Sequence, residues 1–247
     1  MSYMQLSDNI KDSYSSQYDE NSVKWRNTGA RYKALNIVAL SKSIRFKNVL
    51  EVGAGEGSIL NWLSQWNFCE DLNCIEISES GIELIKSKNI KNLKDVLLFD
   101  GYQIPYPDNH FDLVICSHVL EHVEHERMLL REIKRVSKYQ IFEVPIDFSF
   151  YVDRKLNHFL AYGHINIYTP SLFRFLLKSE NFEVQNDINY LYDDEVLELL
   201  YKKKNSAFYM TKIKYAVLSM IPYLRGIKPS SYAVLTRKTD KNLSIFK

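Results

Sequence analysis

The chain has 247 residues, 46% of them hydrophobic, and its 32 Lys+Arg against 30 Asp+Glu leave a formal net charge of +2. That length suits one α/β domain with a lid or insertions. The near balance of charge argues against the basic stripe of a nucleic-acid-binding surface. The three cysteines, Cys69, Cys74 and Cys116, lack metal-type spacing, and no secretory leader precedes them. Packed free thiols and a cytoplasmic location are therefore expected.

Residues 1 to about 21 are polar, with Tyr3, Tyr14 and Tyr18 interspersed. A helix from about Asn21 to Ser43 follows, with Trp25, Ala34, Ile37, Val38 and Leu40 on its apolar face. Residues 1–45 are read as a helical cap. Val49, Leu50 and Val52 then suit a strand covered on both faces. It leads into Gly53, Gly55 and Gly57, which permit positive φ and close approach of a ligand to the backbone. The next helix carries Ile59, Leu60, Leu63 and Trp66 on one stripe. A glycine turn at the carboxyl end of a first strand is where open α/β sheets bind ligands.

The spacing bears on which ligand. A nicotinamide site follows G-x-G-x-x-G/A. Counting from Gly53 and Gly55, the third small place is Ser58, and the glycine comes one residue early, at Gly57. Glu51 precedes the first glycine by two residues. A carboxylate there is awkward beside a pyrophosphate but suits an ammonium or sulfonium group. Both departures favour S-adenosylmethionine over NAD, with a ligand-free glycine turn as the alternative.

Cys74–Ser78 reads as a second strand carrying Glu76, about 20 residues beyond the glycine turn, the offset for a carboxylate on ribose hydroxyls. Ile82, Leu84 and Ile85 mark a helix. Val96–Asp100 is a third apolar run ending in an acid, Ile104–Asp108 a proline-fixed loop, and Phe111–Ser117 a fourth strand. Leu129, Ile133 and Val136 mark the next helix, and Gln140–Val144 the fifth strand. Thr169-Pro170 is an N-cap with proline at the first helical position, opening a helix with Leu172, Phe173, Leu176 and Leu177. Phe182–Tyr190 and Ser231–Arg237 complete seven strands. The expected fold is α/β: a Rossmann-like, doubly wound, mostly parallel seven-stranded sheet with helices on both faces.

Two stretches read as insertions, 147–168 on the substrate side and 193–228. The second holds Lys202-Lys203-Lys204 and the apolar run Tyr215–Pro222. That run is shorter than the about 20 residues needed to span a bilayer. An amphipathic helix packed on the domain or on a second subunit is expected, with a membrane-surface helix as the alternative.

The segments VLEVGAGEG, LFDGYQIPYPDNHFDLVICSHVLEHV, LLREIKRV, FEVP and GHINIYTPSLFRFLL together resemble the class I S-adenosylmethionine-dependent methyltransferases, in particular those with the pattern VLEVGxGxG…LPxxDxxFDxVxxxxVLEH. The resemblance covers about Asn48 to Val184. Where that family has a Lys-Pro-Gly-Gly turn before its fifth strand, this chain has Ser137-Lys138-Tyr139-Gln140. The resemblance implies a cofactor site of Glu51, Gly53, Ala54, Gly55, Glu76, Ile77, Asp100, Gly101 and Ser117. It also implies an N-terminal segment that closes over the cofactor, bringing Tyr14 or Tyr18 to it, and S-adenosylhomocysteine as product. The chain is similar to methyltransferases of bacterial surface-polysaccharide gene clusters, including those linked to O-methyl phosphoramidate decoration. That implies O-methylation of a small acceptor, nucleotide- or phosphate-linked. N-methylation of an amino sugar, RNA methylation and a catalytically silent partner subunit stay open.

His118, His122 and His125 are spaced at i, i+4 and i+7, which on one helix face could bind zinc. The sequence is not H-E-x-x-H, however, and the family pattern already uses the Glu121-His122 pair, so no metal site is expected. Methyl transfer to a hydroxyl needs alignment and a proton acceptor, and histidine suits the latter. His118, near the strand end, and His164, in a Gly-His pair, are the candidates. Asp147, Tyr151, Arg154 and Tyr162 are the candidate substrate residues, Arg154 and Lys155 mattering more for an anionic acceptor that needs no base.

Overall fold

The computed structural model describes residues 23–148, 152, 155–201, 203–221 and 229–239. In chain order these form α1 (Val23–Leu40), β1 (Asn48–Val52), α2 (Ser58–Gln65), β2 (Asp71–Glu76), α3 (Glu79–Ser87), β3 (Leu93–Leu98) and β4 (Phe111–Ser117). A short 3₁₀ turn (Leu120–His122) leads to α4 (Glu126–Val136), β5 (Ser137–Pro145), α5 (Leu156–Tyr162), α6 (Pro170–Ser179), β6 (Phe182–Tyr190), α7 (Asp194–Leu200), α8 (Ser206–Met220) and β7 (Ser231–Lys238).

One seven-stranded sheet has the order β3-β2-β1-β4-β5-β7-β6. The first five strands run parallel, and β7 pairs antiparallel with both β5 and β6. Chain direction switches outward on either side of β1 and β4, which opens a crevice at their carboxyl ends. Strand alternation feeds two apolar layers. Leu50, Val52, Val114, Cys116, Phe142 and Val144 pack against Leu129, Ile133, Phe173 and Leu177 on one face. Val49, Leu113, Ile115 and Ile141 pack against Ala34, Ile37, Leu60 and Leu63 on the other.

The expected fold forms, with local differences. Trp66 leaves the stripe of α2: it is the C-cap, stands 36% exposed and packs beside Trp62. Leu172 likewise points outward from α6, which is capped as expected by Thr169 Oγ1 accepting from Leu172 N. Strand β2 starts at Asp71, and β3 stops at Leu98, two residues before Asp100. Being the sheet's edge, β3 leaves Leu97 and Leu98 exposed. No turn precedes β5. Helix α4 runs to Val136 and the strand begins at Ser137, whose backbone is extended (φ −136°, ψ 156°) and whose hydroxyl donates to Ile133 O. That bond satisfies a terminal helix carbonyl and removes the need for a glycine turn.

In the two insertions, α5 occupies part of 147–168, and α7 with α8 part of 193–228. Helix α8 buries Phe208 while Met210, Ile213, Val217 and Met220 stay exposed. No described helix is long and apolar enough to cross a membrane. Tyr3, Tyr14, Tyr18, Tyr151, Arg154 and Lys202 lie outside the described residues.

Candidate active site

A cavity of about 600 Å³ opens at the carboxyl ends of β1, β4 and β5. Helix α1 covers it with Trp25, Arg26, Tyr32 and Lys33, and the far wall holds Asp147, His158, Tyr162 and His164.

The glycine turn forms one end. Gly53 N and Ala54 N both donate to Ile75 O, which hooks the turn onto β2. Gly53, Gly55 and Gly57 have φ of 69°, 57° and 74°. A side chain at Gly53 would bring its Cβ within 2.6 Å of Val119 Cγ2, so two separate constraints demand glycine there. Gly55 N donates to Glu76 Oε2 at 2.8 Å, and Ile77 N and Ser78 N donate to Glu76 Oε1. Three amides thus fix the Glu76 carboxylate, and its four lone-pair sites leave one for a further donor. Glu56 is neutralised by Arg26 at 3.0 Å, which ties α1 to the turn.

Glu51 stands beside this turn, 2% exposed, with Oε2 lacking a hydrogen-bond partner among the described residues. Burial pushes its pKa up to about 8 against the pull of Lys33. Once ionised, a carboxylate buried there calls for a cation. Ala54, Ile77, Gly101 and Ser117 line the same cavity, and Ser117 Oγ is buried without a hydrogen-bond partner among the described residues. Asp100 is the exception among the expected cofactor residues. Its Oδ1 accepts from Tyr102 N and Gln103 N, an Asx turn, so it shapes the loop that brings Phe99 and Gly101 to the wall without itself lining it.

Between the two ends lies a buried polar chain. His118 adopts φ 56°, and no helix joins it to His122 and His125, so the three histidines share no helical face. Its Nδ1 lies 3.3 Å from Glu121 Oε1 and its Nε2 3.7 Å from Glu143 Oε1. Burial and Lys33 push the imidazole pKa down, yet the two carboxylates outweigh them and raise it. His118 thus stands on the cavity wall with both ring nitrogens turned to acids. Glu143 also accepts from Ser231 Oγ at 2.8 Å and Asn36 Nδ2 at 3.4 Å. Burial lowers the Lys33 pKa while Glu143, Glu121 and Glu51 oppose that shift.

At the far wall Asp147 holds two imidazoles. Its Oδ2 lies 2.6 Å from His164 Nδ1 and its Oδ1 3.1 Å from His158 Nε2. Burial would raise its pKa, but His164 and His158 hold the carboxyl below its ordinary value. Gly163, at φ 67°, ends α5 and turns His164 back toward His122, whose Nδ1 meets Gly163 O at 3.0 Å. Asp147, Tyr162 and His164 are thus brought together as expected.

Sequence reasoning missed Lys33, Glu143 and His158. Signals for two of them existed: Lys33 interrupts the buried stripe of Ala30, Ala34 and Ile37, and Glu143 interrupts the apolar run of β5. A charge inside an apolar pattern marks a paired or functional group. His158, half-exposed on a short helix, carried no such mark.

Residues 50–140 match a family profile described as a methyltransferase domain. An uncharacterized protein of Methanocaldococcus jannaschii is 28% identical over 133 residues, 53% of this chain and 57% of that protein. YrhH of Bacillus subtilis, which is named for a methyltransferase activity not yet assigned with certainty, is 30% identical over 111 residues, 44% of this chain and 58% of its own length. The chain thus spans little more than half the length of these two relatives. Among solved structures, an S-adenosylmethionine-dependent methyltransferase of Thermotoga maritima aligns with TM-score 0.62 at 14% identity, over 93% of this chain and 100% of that one. A chain in the complex between the Haloferax volcanii Trm112 methyltransferase activator and a methyltransferase aligns with TM-score 0.69 at 12% identity, over 94% and 99%. The fold is that of the Rossmann-like methyltransferases, and residues 50–140 carry a methyltransferase domain of the kind that uses S-adenosylmethionine.

Proposed function

We propose that the whole chain is an S-adenosylmethionine-dependent methyltransferase acting on a hydroxyl of a small polar acceptor. The acceptor class is a polysaccharide precursor or its phosphoramidate-type decoration. The observation that carries the cofactor end is Glu51: a buried, unpartnered carboxylate oxygen beside a glycine turn fits the ammonium of the methionine part. Glu76 retains acceptor capacity for ribose hydroxyls, and Ile77, Phe99 and Gly101 offer apolar wall and backbone for the base. When bound, the cofactor supplies an electrophilic methyl group on a sulfonium.

The chain's own residues do the rest. The cavity of about 600 Å³ has room for a cofactor and a small acceptor. His164 takes the hydroxyl proton at Nε2, because Asp147 engages Nδ1 and fixes the ring. His118 instead positions the buried acids, its two ring nitrogens facing Glu121 and Glu143. Among the described residues, 23–40 act as a cap and α5, α7 and α8 as acceptor-side elements.

Calorimetric titration with S-adenosylmethionine, S-adenosylhomocysteine and NAD tests the cofactor. Binding of the first two alone is expected; binding of NAD alone overturns the reading. Mass spectrometry of a panel of nucleotide sugars and phosphorylated sugars, looking for a one-methyl mass gain, tests the acceptor class.

A further inference from the structure

The Asp147 corner does more than orient a base. Its donor atoms, one each from Asp147, His158 and His164, lie within 4.8 Å of one another. Two imidazoles and one carboxylate on adjoining vertices form the ligand set of open transition-metal sites, which leave positions for water or substrate. The local fold gathers them. His158 lies on α5, the left-handed Gly163 reverses the chain after that helix, and His164 returns to the same side as His158, their rings 6.1 Å apart. Asp147 follows β5 by two residues, and its two carboxylate oxygens lie 2.6 and 3.1 Å from the imidazoles of His164 and His158. All three side chains line the cavity, so vacant coordination positions would face the acceptor space. Nitrogen donors also discriminate: magnesium and calcium prefer oxygen-only sites, whereas zinc, manganese and cobalt accept imidazole.

We propose that Asp147, His158 and His164 form a binding site for one divalent transition-metal ion on the acceptor wall. The proposal rests on the methyl-transfer reading for its purpose and alters one step of it. With the ion bound, His164 is a ligand. An acceptor hydroxyl entering an open position then loses its proton to solvent more readily, because metal ligation lowers the pKa of a bound O–H group. His122, whose ring lies 5.0 Å from that of His164, and Glu121 offer a second donor group sharing His164. They flank the site on the side of the buried polar chain.

The test uses the full chain, stripped with a chelator and titrated with cobalt(II), zinc(II), manganese(II) and magnesium(II). One equivalent of cobalt is expected to bind with a visible ligand-field band. Zinc or manganese should raise the melting temperature by several degrees, and magnesium should not. His158→Ala and Asp147→Asn should each weaken cobalt binding at least about tenfold. The His158 side chain is 40% exposed, so its replacement leaves the core intact. Absence of stoichiometric binding by the unmodified chain overturns the proposal without any variant. So does wild-type affinity in both variants, which would locate the ion elsewhere. The readout needs neither cofactor nor acceptor, so its failure leaves methyl transfer standing, and failure of the cofactor titration leaves the metal result standing.

Discussion

The two ends of the cavity are built in opposite ways. The proposed cofactor end comes from short consecutive stretches, Glu51–Gly57 and Glu76–Ser78, hooked together by bonds such as Gly53 N to Ile75 O and Gly55 N to Glu76 Oε2. The proposed acceptor end is assembled from side chains far apart in sequence: Lys33 on α1, Glu143 and Asp147 near the end of β5, His158 and His164 around α5. One end is specified by backbone conformation and the other by side-chain charge. Substitutions should therefore separate into two classes with little crosstalk.

The largest expected effect is at the acceptor end. His164→Ala should lower turnover of an active acceptor about 10²- to 10⁴-fold while the cofactor dissociation constant moves no more than about twofold. A larger loss of cofactor affinity would break the division between the ends. Gly53→Ala acts on the other end through the backbone. A positive φ without glycine and a Cβ 2.6 Å from Val119 should cost about 2–4 kcal/mol in denaturant melts, and cofactor binding should fail. Native-like stability would mean that the turn tolerates a side chain.

Glu51→Gln separates binding from folding. Affinity for S-adenosylhomocysteine should fall about 10- to 100-fold, the worth of a hydrogen bond to a charged group. Stability should hold or rise, because a costly buried acid is removed. The remaining effect is in pH. Glu51 titrates near pH 8 when folded, so it holds a proton at neutrality that the unfolded chain releases from its ordinary 4.5 upward. Its contribution to stability is complete below about pH 4.5 and is lost as pH rises toward 8, at most about 1.4 kcal/mol per unit. An ammonium ligand favours the ionised form. Cofactor affinity should then increase between pH 6 and 8, with proton release visible as a buffer-dependent binding enthalpy. Glu51→Gln should abolish both.

The same contrast explains what could be read from the sequence. Gly53, Gly55, Glu51 and Glu76 act through local spacing, and the turn they form was legible. Asp100 has the right spacing, yet its side chain turns inward on its own loop, a choice made by two nearby amides. His118 was legible as a residue near the strand end, but Glu121 and Glu143 claim its nitrogens, and Glu143 reaches it only through the β4–β5 pairing. The missing turn before β5 was unreadable because Ser137 replaces a glycine turn with a single side-chain bond to Ile133 O.

The place of β7 has a consequence for the order of synthesis. It is made after β6 and yet lies between β5 and β6. While the ribosome is still adding residues before Ser231, β1 to β5 can already pair, and the glycine turn with Glu76 can close. Strand β6 then has no neighbour, and Glu143 lacks the Ser231 hydroxyl. A nascent chain would thus close its glycine turn on Glu76 before β6 finds a neighbour, and β7 is the keystone that completes the sheet last.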